Sequence, residues 1–298
     1  MRFMLRTSVV ALLLVLAFGA GDAAAASARV VSHGPRDDKV IALTFDDGWS
    51  TPRCSRILNT LVAQKVPATF FPNAIYVRQW PAFWRKVARL GFPIGNHTVN
   101  HRDLSELPAS RVFKEIDRDR RIVEEITGVP MIRVMRPPFG SYDDRTLTQA
   151  RHAGFPTILL WDATANDTVR GKSHRAMIRD ALRGRNGSVV VLHCGPKATP
   201  RILPRIIEGY RARGFRFVTI PELLGIDGPS RGPHRPWASS TGRVAVAHAP
   251  TVVATCRRRT VIAAAGEHVP AAPLWPRRTG WSRRPSSSCL DPGSTAAL

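Results

Sequence analysis

Two histidines four residues apart, His97 and His101, have the spacing in this sequence that is most specific for metal chemistry. Neutral imidazole is the commonest metal ligand in proteins, and an i, i+4 spacing places two imidazoles on one side of a helical turn. The adjacent carboxylates Asp46 and Asp47 offer a third ligand. One aspartate can bind the metal while its neighbour accepts a proton from water, so these four residues indicate a metal site that activates water.

The other reactive side chains follow further apolar runs of the chain. Arg136 follows one run, Asp162 and Asp167 follow the next, and His193 ends another. Each has an ordinary explanation when taken alone, because aspartates commonly cap turns and single histidines are usually structural. Five separate apolar runs that all end in such groups favour one shared site.

Seven short apolar runs alternate with helical patterns. The runs lack strict alternation of polar and apolar residues, which is typical of parallel strands buried on both faces. Helix signals separate them, with a proline start at Thr51 and Pro52 and glycine stops at Gly128 and Gly214. The pattern predicts a (β/α) barrel one strand short of eight or an open doubly wound sheet, and in a barrel all strand C-termini share one mouth. The predicted strands are 40–45, 68–71, 93–96, 132–135, 156–160, 188–192 and 215–219.

Both ends of the chain differ in composition from its middle. Arg2 and Arg6, an apolar stretch at 9–20 and small residues up to position 28 predict a secretory signal peptide over 1–28. We expect a protein that is secreted, extracellular or associated with a cell wall, with no stable membrane span after cleavage; an uncleaved anchor is the alternative.

The remaining chain divides into three predicted parts. Residues 29–38 are expected to form an N-terminal linker, and 39–225 carry the periodic apolar pattern of a folded domain. Residues 226–298 contain ten arginines and nine prolines without a sustained apolar period. We therefore expect them to be a disordered, low-complexity C-terminal extension, with a cell-wall tether as the alternative.

The net charge is +22, from 38 arginines and six lysines against 22 acidic residues. This charge fits a nucleic-acid binder, a protein that works on an anionic surface, or simply GC-rich coding. The predicted export and the lack of an aromatic–basic ladder or helix-turn-helix pattern argue against a nucleic-acid partner. The four cysteines can form disulfides in an exported protein, but their spacing does not specify the pairing.

Four segments resemble, in order, the first, second, third and fifth motifs of the polysaccharide deacetylases with a NodB homology domain, carbohydrate esterase family 4. The resemblance covers about 39–224 and implies a distorted (β/α)7 barrel. The matching segments are Thr44-Phe45-Asp46-Asp47-Gly48, His97-Thr98-Val99-Asn100-His101, Arg136-Pro137-Pro138-Phe139-Gly140 and Val191-Leu192-His193.

The resemblance implies a metal centre and a base. Asp47, His97 and His101 would hold the metal, which we expect to be Zn²⁺, although other divalent first-row metals suit the same ligands. Asp46 would be the general base. Arg136 would pair with Asp46 and keep it ionised, because a nearby cation favours the charged carboxylate.

The resemblance also implies an acid and a substrate pocket. His193 would protonate the leaving amine, and Asp167 would orient that imidazole. The backbone N–H of Phe139 would stabilise the oxyanion, and Leu192 would line the acetyl pocket. Trp161 is a further predicted substrate-binding residue.

The fourth family motif, D-x-x-D-[WY], is altered in this chain. Thr164 stands at the first aspartate, Asp167 is retained at the second, and Thr168 replaces the aromatic residue. The family aromatic lines the sugar groove, so Thr168 offers no aromatic face for sugar stacking at that position. Cys194 follows His193, where the family commonly has aspartate.

These features predict a secreted, metal-dependent deacetylase that acts on an acetylated polysaccharide: peptidoglycan, a chitooligosaccharide or xylan. The hydrolysed group would be an N-acetyl amide or an O-acetyl ester. The alternative is a non-catalytic carbohydrate-binding relative that lost activity through the altered fourth motif. The sequence does not specify an oligomeric state.

We predict that the region after Leu224 is dispensable for catalysis, because its composition cannot bury enough surface to offset chain entropy. A shortened chain of residues 29–225 should fold and release acetate from soluble oligomers about as fast as the full chain. An insoluble or inactive shortened chain would show instead that the extension packs on the barrel.

Overall fold

The computed structural model describes residues 27–226. The predicted signal peptide, apart from its last two residues, and the predicted extension, apart from Ile226, lie outside the described residues. Within residues 27–226, no helix combines the length and apolar character that crossing a membrane requires.

Eight strands and eight α-helices follow one another in the described part of the chain. The strands are β1 (Arg29–Val31), β2 (Val40–Asp47), β3 (Ala68–Pro72), β4 (Val134–Met135), β5 (Thr157–Leu159), β6 (Ala163–Thr164), β7 (Ser188–Cys194) and β8 (Arg216–Phe217). The helices are α1 (Thr51–Ala63), α2 (Ala74–Gln79), α3 (Pro81–Arg89), α4 (Ala109–Thr127), α5 (Asp144–His152), α6 (His174–Ala181), α7 (Thr199–Ala212) and α8 (Ile220–Leu224). Two 3₁₀ turns, Leu104–Glu106 and Pro138–Gly140, complete the set.

Strand β2 is the centre of the sheet, and all eight of its residues are buried. It pairs in parallel with β3 on one side and β7 on the other, while β8 pairs with its first two residues. The uninterrupted apolar run up to Phe45 suits a strand that is covered on both faces. Asp46 and Asp47, at the C-terminal end of β2, are therefore held in place by a buried, paired strand.

The predicted strand 93–96 is not a continuous strand in the structure. It makes one bridge to each neighbour, Phe70–Ile94 and Asn96–Met135. Pro93 has no backbone N–H to donate, so the segment cannot form a full ladder. Through these two bridges the segment connects β3 to β4. Strand β4 in turn pairs with β5.

The predicted linker 29–38 contains strand β1, which the sequence analysis missed. Strand β1 pairs in parallel with β5, and His33 makes a bridge to Ser188 at the start of β7. Three residues are too few to show a periodic pattern, which explains the omission. This strand fills the seam between β5 and β7, and the resulting fold confirms the predicted distorted (β/α)7 barrel.

A disulfide joins Cys54 on α1 to Cys194 at the end of β7, across 140 residues of sequence. Both cysteines are fully buried. The bond ties α1, which follows the Asp46–Asp47 strand, to the strand that carries His193. The sequence left this pairing open because it depends on contact between distant elements.

We predict that the disulfide stabilises the domain. The double variant Cys54→Ala/Cys194→Ala should lower the free energy of unfolding by about 2–4 kcal/mol. Without the cross-link, the unfolded chain gains conformational entropy and is therefore more stable relative to the folded state. Urea denaturation measures the change, and wild-type protein under reducing conditions should match the variant. Equal midpoints for wild type and the variant would contradict the prediction.

Candidate metal centre and active site

The C-terminal ends of the strands bring the predicted reactive groups to one mouth. Asp46 and Asp47 end β2, and Asp46 lies in register with His193 of the neighbouring strand β7. Arg136 directly follows β4. Residues that are distant in the sequence thus meet because parallel strands of a barrel all end on the same face.

Asp47, His97 and His101 form a cluster of three candidate ligands, whose ligand atoms all lie within 4.8 Å of one another. The Asp47 Oδ1 atom is 3.6 Å from His97 Nε2 and 3.4 Å from His101 Nε2. Two imidazole nitrogens and a carboxylate oxygen are the donor set of many catalytic divalent metal sites. The cluster fits such a metal.

The state of His97 supports this fit. Its Nδ1 atom is 2.7 Å from the backbone carbonyl of Arg136, which can only accept a hydrogen bond. The proton therefore sits on Nδ1, and Nε2 keeps its lone pair toward the cluster. Burial, with a further contribution from His101, lowers the pKa of His97 to about 3, so the imidazole is neutral.

The segment from His97 to His101 is a loop, and the predicted helical turn is wrong. Thr98 and His101 have left-handed backbone with φ of 68° and 54°, which a helix does not allow. Side chains stabilise the loop: Asn96 Oδ1 accepts from the Thr98 N–H at 3.1 Å, and Thr98 Oγ1 accepts from the His101 N–H at 3.2 Å. The two imidazoles therefore meet through loop geometry rather than helical periodicity.

Two buried residues that the sequence analysis missed position this loop. Asn73 Nδ2 donates to the His97 carbonyl at 2.6 Å, and the His97 N–H donates to Asp119 Oδ2 at 3.4 Å. Burial raises the pKa of Asp119 well above its usual value. Asn73 follows a predicted strand, which was a usable signal, whereas Asp119 lies in a helix rich in charged residues and gave none.

The guanidinium of Arg136 is fully buried at the base of the mouth. It packs over the ring of Phe71 at 4.6 Å and of Trp161 at 5.7 Å. Every guanidinium nitrogen has a hydrogen-bond acceptor. The acceptors are Asp46 Oδ1 at 2.7 Å, Thr44 Oγ1 at 2.8 Å, and the carbonyls of Leu159 at 3.2 Å and Leu160 at 3.3 Å.

The structure contains the expected Asp46–Arg136 pair, but the pKa of Asp46 shifts in the opposite direction to the one expected. Burial raises the pKa of the Asp46 carboxyl and outweighs Arg136, which lowers it. The loss of water around the carboxylate therefore affects this pKa more than the neighbouring cation does. A raised pKa brings the carboxylate closer to the range in which a general base works at neutral pH.

His193 and Asp167 form the second charged pair of the mouth. His193 Nδ1 lies 2.7 Å from Asp167 Oδ1, and the backbone N–H of His193 donates to Oδ2 at 2.8 Å. Thr199, which the sequence analysis missed, donates its hydroxyl to the same oxygen at 2.6 Å. Burial alone would lower the pKa of His193, but Asp167 outweighs it, and the pKa rises to about 9.

The three predicted substrate-binding residues have different surroundings. Phe139 is exposed, has a left-handed φ of 60°, and sets its ring edge-to-face with the His101 ring at 4.6 Å. Trp161 is half-buried and packs against Gly140 as well as Arg136. Leu192 is fully buried opposite Phe45, so its place at an acetyl pocket stays a prediction.

Asp162 is not part of this cluster, contrary to the expectation that it lies at the mouth. It forms an ion pair with Arg36 at 2.7 Å and accepts hydrogen bonds from the Ser188 hydroxyl and the Val189 N–H. Those residues start β7, so they lie at the opposite end of the strand from His193. Asp162 joins the segment after β1 to the barrel.

A parallel-stranded barrel with an Asp–His–His cluster, a buried aspartate–arginine pair and a paired imidazole at its mouth has the features of a metal-assisted hydrolase. The family model described as polysaccharide deacetylase matches residues 33–158. A peptidoglycan-N-acetylglucosamine deacetylase of Bacillus cereus is 30% identical over 194 residues, which are 64% of this chain and 90% of that protein. The chain belongs to the polysaccharide deacetylase family.

Solved structures agree with this assignment. A crystal structure of a peptidoglycan N-acetylglucosamine deacetylase with a bound N-hydroxybenzamide compound matches with a TM-score of 0.63 and 28% identity, over 67% of this chain and 94% of that one. A pseudoenzyme of carbohydrate esterase family 4 from Bacillus anthracis matches with a TM-score of 0.63 and 24% identity, over 68% and 73% of the two chains. The second match supports the fold alone.

Substitutions at the predicted ligand His97 and at the predicted base Asp46 should have different effects. His97→Ala should remove both bound zinc and activity, because it deletes a predicted ligand. Asp46→Asn should keep the zinc and lose turnover by roughly two to four orders of magnitude, because it deletes only the predicted base. Metal analysis and acetate release measure both properties.

The exposed histidine His174 provides the control, and His174→Ala should change neither zinc content nor turnover. Full zinc occupancy in the His97 variant would contradict the ligand assignment. Loss of zinc in the Asp46 variant would mean that the two aspartates have exchanged roles.

Proposed function

We propose that this protein is a metal-dependent deacetylase that hydrolyses N-acetyl groups of a cell-wall glycan. The observation that carries the proposal is the buried Asp46–Arg136 pair beside the Asp47–His97–His101 cluster. The Bacillus cereus relative, a peptidoglycan-N-acetylglucosamine deacetylase, supports peptidoglycan as the substrate class. Chitooligosaccharides and acetylated xylan are the alternative substrates, because the same groups can hydrolyse an amide or an ester.

Asp46 is the proposed base. A divalent metal held by Asp47, His97 and His101 would supply a Lewis acid and lower the pKa of water. Asp46 accepts the proton that water loses as it attacks the acetyl carbon, and Arg136 keeps the carboxylate oriented during this transfer. The backbone N–H of Phe139 is proposed to donate to the oxyanion that forms from the acetyl oxygen.

His193 is the proposed acid. Asp167 accepts the hydrogen bond from Nδ1, so the proton on Nε2 is the one available for transfer. A pKa near 9 keeps the imidazole protonated at neutral pH. When the carbon–nitrogen bond breaks, His193 gives this proton to the amine nitrogen, and acetate is the second product.

Zinc is the proposed metal. Its usual catalytic sites combine three protein ligands from histidine and carboxylate with an open fourth position, which matches the donor set of this cluster. Other divalent first-row metals bind the same donors, so metal analysis of the purified protein has to identify the ion.

We propose that the protein works outside the cytoplasm. The signal-peptide pattern of the first 28 residues supports export, and the buried Cys54–Cys194 disulfide suits an oxidising compartment. The net charge of +22 would favour contact with an anionic cell wall.

A non-catalytic carbohydrate-binding protein is the second candidate. Thr164 and Thr168 in the fourth motif favour it. The retained base, ligand cluster and acid pair favour the enzyme.

Acetate release separates the two candidates. The zinc-loaded protein should release acetate from peptidoglycan, chitooligosaccharides or acetylxylan, lose this activity with a chelator and regain it with added zinc. Glycan binding without acetate release on all three substrates would establish the non-catalytic alternative.

We predict that His193 acts on the leaving group. An amine leaves only with a proton, whereas an activated phenolate leaves without one, so His193→Ala should damage N-deacetylation more than hydrolysis of an aryl acetate. Asp167→Asn should show the same bias more weakly. His152→Ala, at an exposed position on α5, is the matched control. Equal losses on amide and ester in the His193 variant would contradict the acid role.

A further inference from the structure

Exposed aromatic residues flank the candidate site. Among residues 27–226, the large apolar side chains that are exposed are Trp49 at 36%, Val62 at 41% and Phe139 at 41%. Single exposed apolar residues are common on protein surfaces. Two of these three, however, lie next to the cluster: Phe139 contacts His101, and Trp49 follows Asp47 by two positions.

The indole of Trp49 packs on the chain just beyond the candidate acid His193. Asp47 and Gly48 have φ of 72° and 125°, which turns the chain sharply at the end of β2. The indole then lies on Gly195, where an added Cβ would come within 2.0 Å of the ring. Gly195 is two residues beyond His193, so the ring spans from the Asp47 turn to the His193 strand.

The support beneath Trp49 is rigid. Arg53 donates to the Gly195 carbonyl at 2.6 Å, and the adjacent residue Cys194 is fixed to Cys54 by the disulfide. An aromatic ring held on such a support binds a ligand with little further loss of conformational freedom.

The altered fourth motif lacks an aromatic side chain. Thr168 stands where the family has its groove aromatic, and it is exposed. A hydroxyl-bearing side chain of this size offers no flat apolar face. The C–H face of a pyranose ring is apolar and needs such a surface to leave water.

We propose that Trp49 is a sugar-stacking residue of this site and that its ligand is the pyranose ring next to the acetylated sugar in a glycan of at least two units. This proposal rests on the proposed deacetylase function. It assigns glycan-length preference to Trp49 and leaves the bond-breaking steps to the other residues of the mouth. Phe139 is a poorer candidate because its ring packs edge-to-face against His101.

Kinetics on two substrates test the proposal with the zinc-loaded full chain. Trp49→Ala should raise the KM for chitotriose about tenfold or more, a loss of the size that one substantial contact supplies. The loss on a small aryl acetate should be much smaller, because that substrate does not extend to the indole. Trp49→Phe keeps an aromatic face and should recover part of the chitotriose KM. Val62→Ala removes an exposed apolar side chain on α1 and is the matched control for both substrates.

Two results would overturn the proposal. An unchanged chitotriose KM in Trp49→Ala would show that the indole does not contact the sugar. Equal losses on chitotriose and the aryl acetate would show that Trp49 only supports the His193 strand. Calorimetric binding of chitotriose to wild type and Trp49→Ala separates this proposal from the proposed function. If wild type binds chitotriose but releases no acetate, the proposed deacetylase function is wrong. A tenfold difference in affinity between wild type and Trp49→Ala would still show whether Trp49 contacts the sugar.

Discussion

The buried ion pair between Arg136 and Asp46 is the interaction on which the rest of the site depends. A fully buried guanidinium is costly unless it is paired and its remaining N–H groups have acceptors, and both conditions are met here. The same residue presents its backbone carbonyl to His97 Nδ1, which fixes the imidazole tautomer. One residue thus orients both the proposed base and a proposed metal ligand, so the end of β4 must keep its position relative to the end of β2.

Burial and neighbouring charges shift the pKa values of three groups of the mouth in different directions. It raises the pKa of Asp46, which favours proton acceptance, and lowers the pKa of His97, which keeps that imidazole neutral. His193 shows the opposite balance, because the Asp167 carboxylate outweighs burial and keeps the imidazole charged. The proposed base, a neutral proposed ligand and a charged proposed acid can therefore coexist at the same pH within one mouth.

The sequence predicted those features that follow from local pattern and strand direction. The apolar run of β2 and the stop of α4 at Gly128 are local, and the convergence of Asp47 with His97 follows from parallel strands that end on one face. The missed features depend on distant contacts. The left-handed backbone of the His97–His101 loop is stabilised by side chains around it, the pairing of β1 needs β5, and the Cys54–Cys194 bond joins elements 140 residues apart.

A double-variant cycle on acetate release tests most directly whether Arg136 acts through Asp46. The four proteins are wild type, Asp46→Asn, Arg136→Lys and the double variant, each loaded with zinc and checked for folding by circular dichroism. Lysine keeps the positive charge but lacks the planar guanidinium group, which donates hydrogen bonds to several oxygens at once. If the two residues work as a unit, the double variant should lose no more activity than the worse single variant, within about threefold. Losses that multiply in the double variant would contradict this account, because they would show that Arg136 and Asp46 act independently.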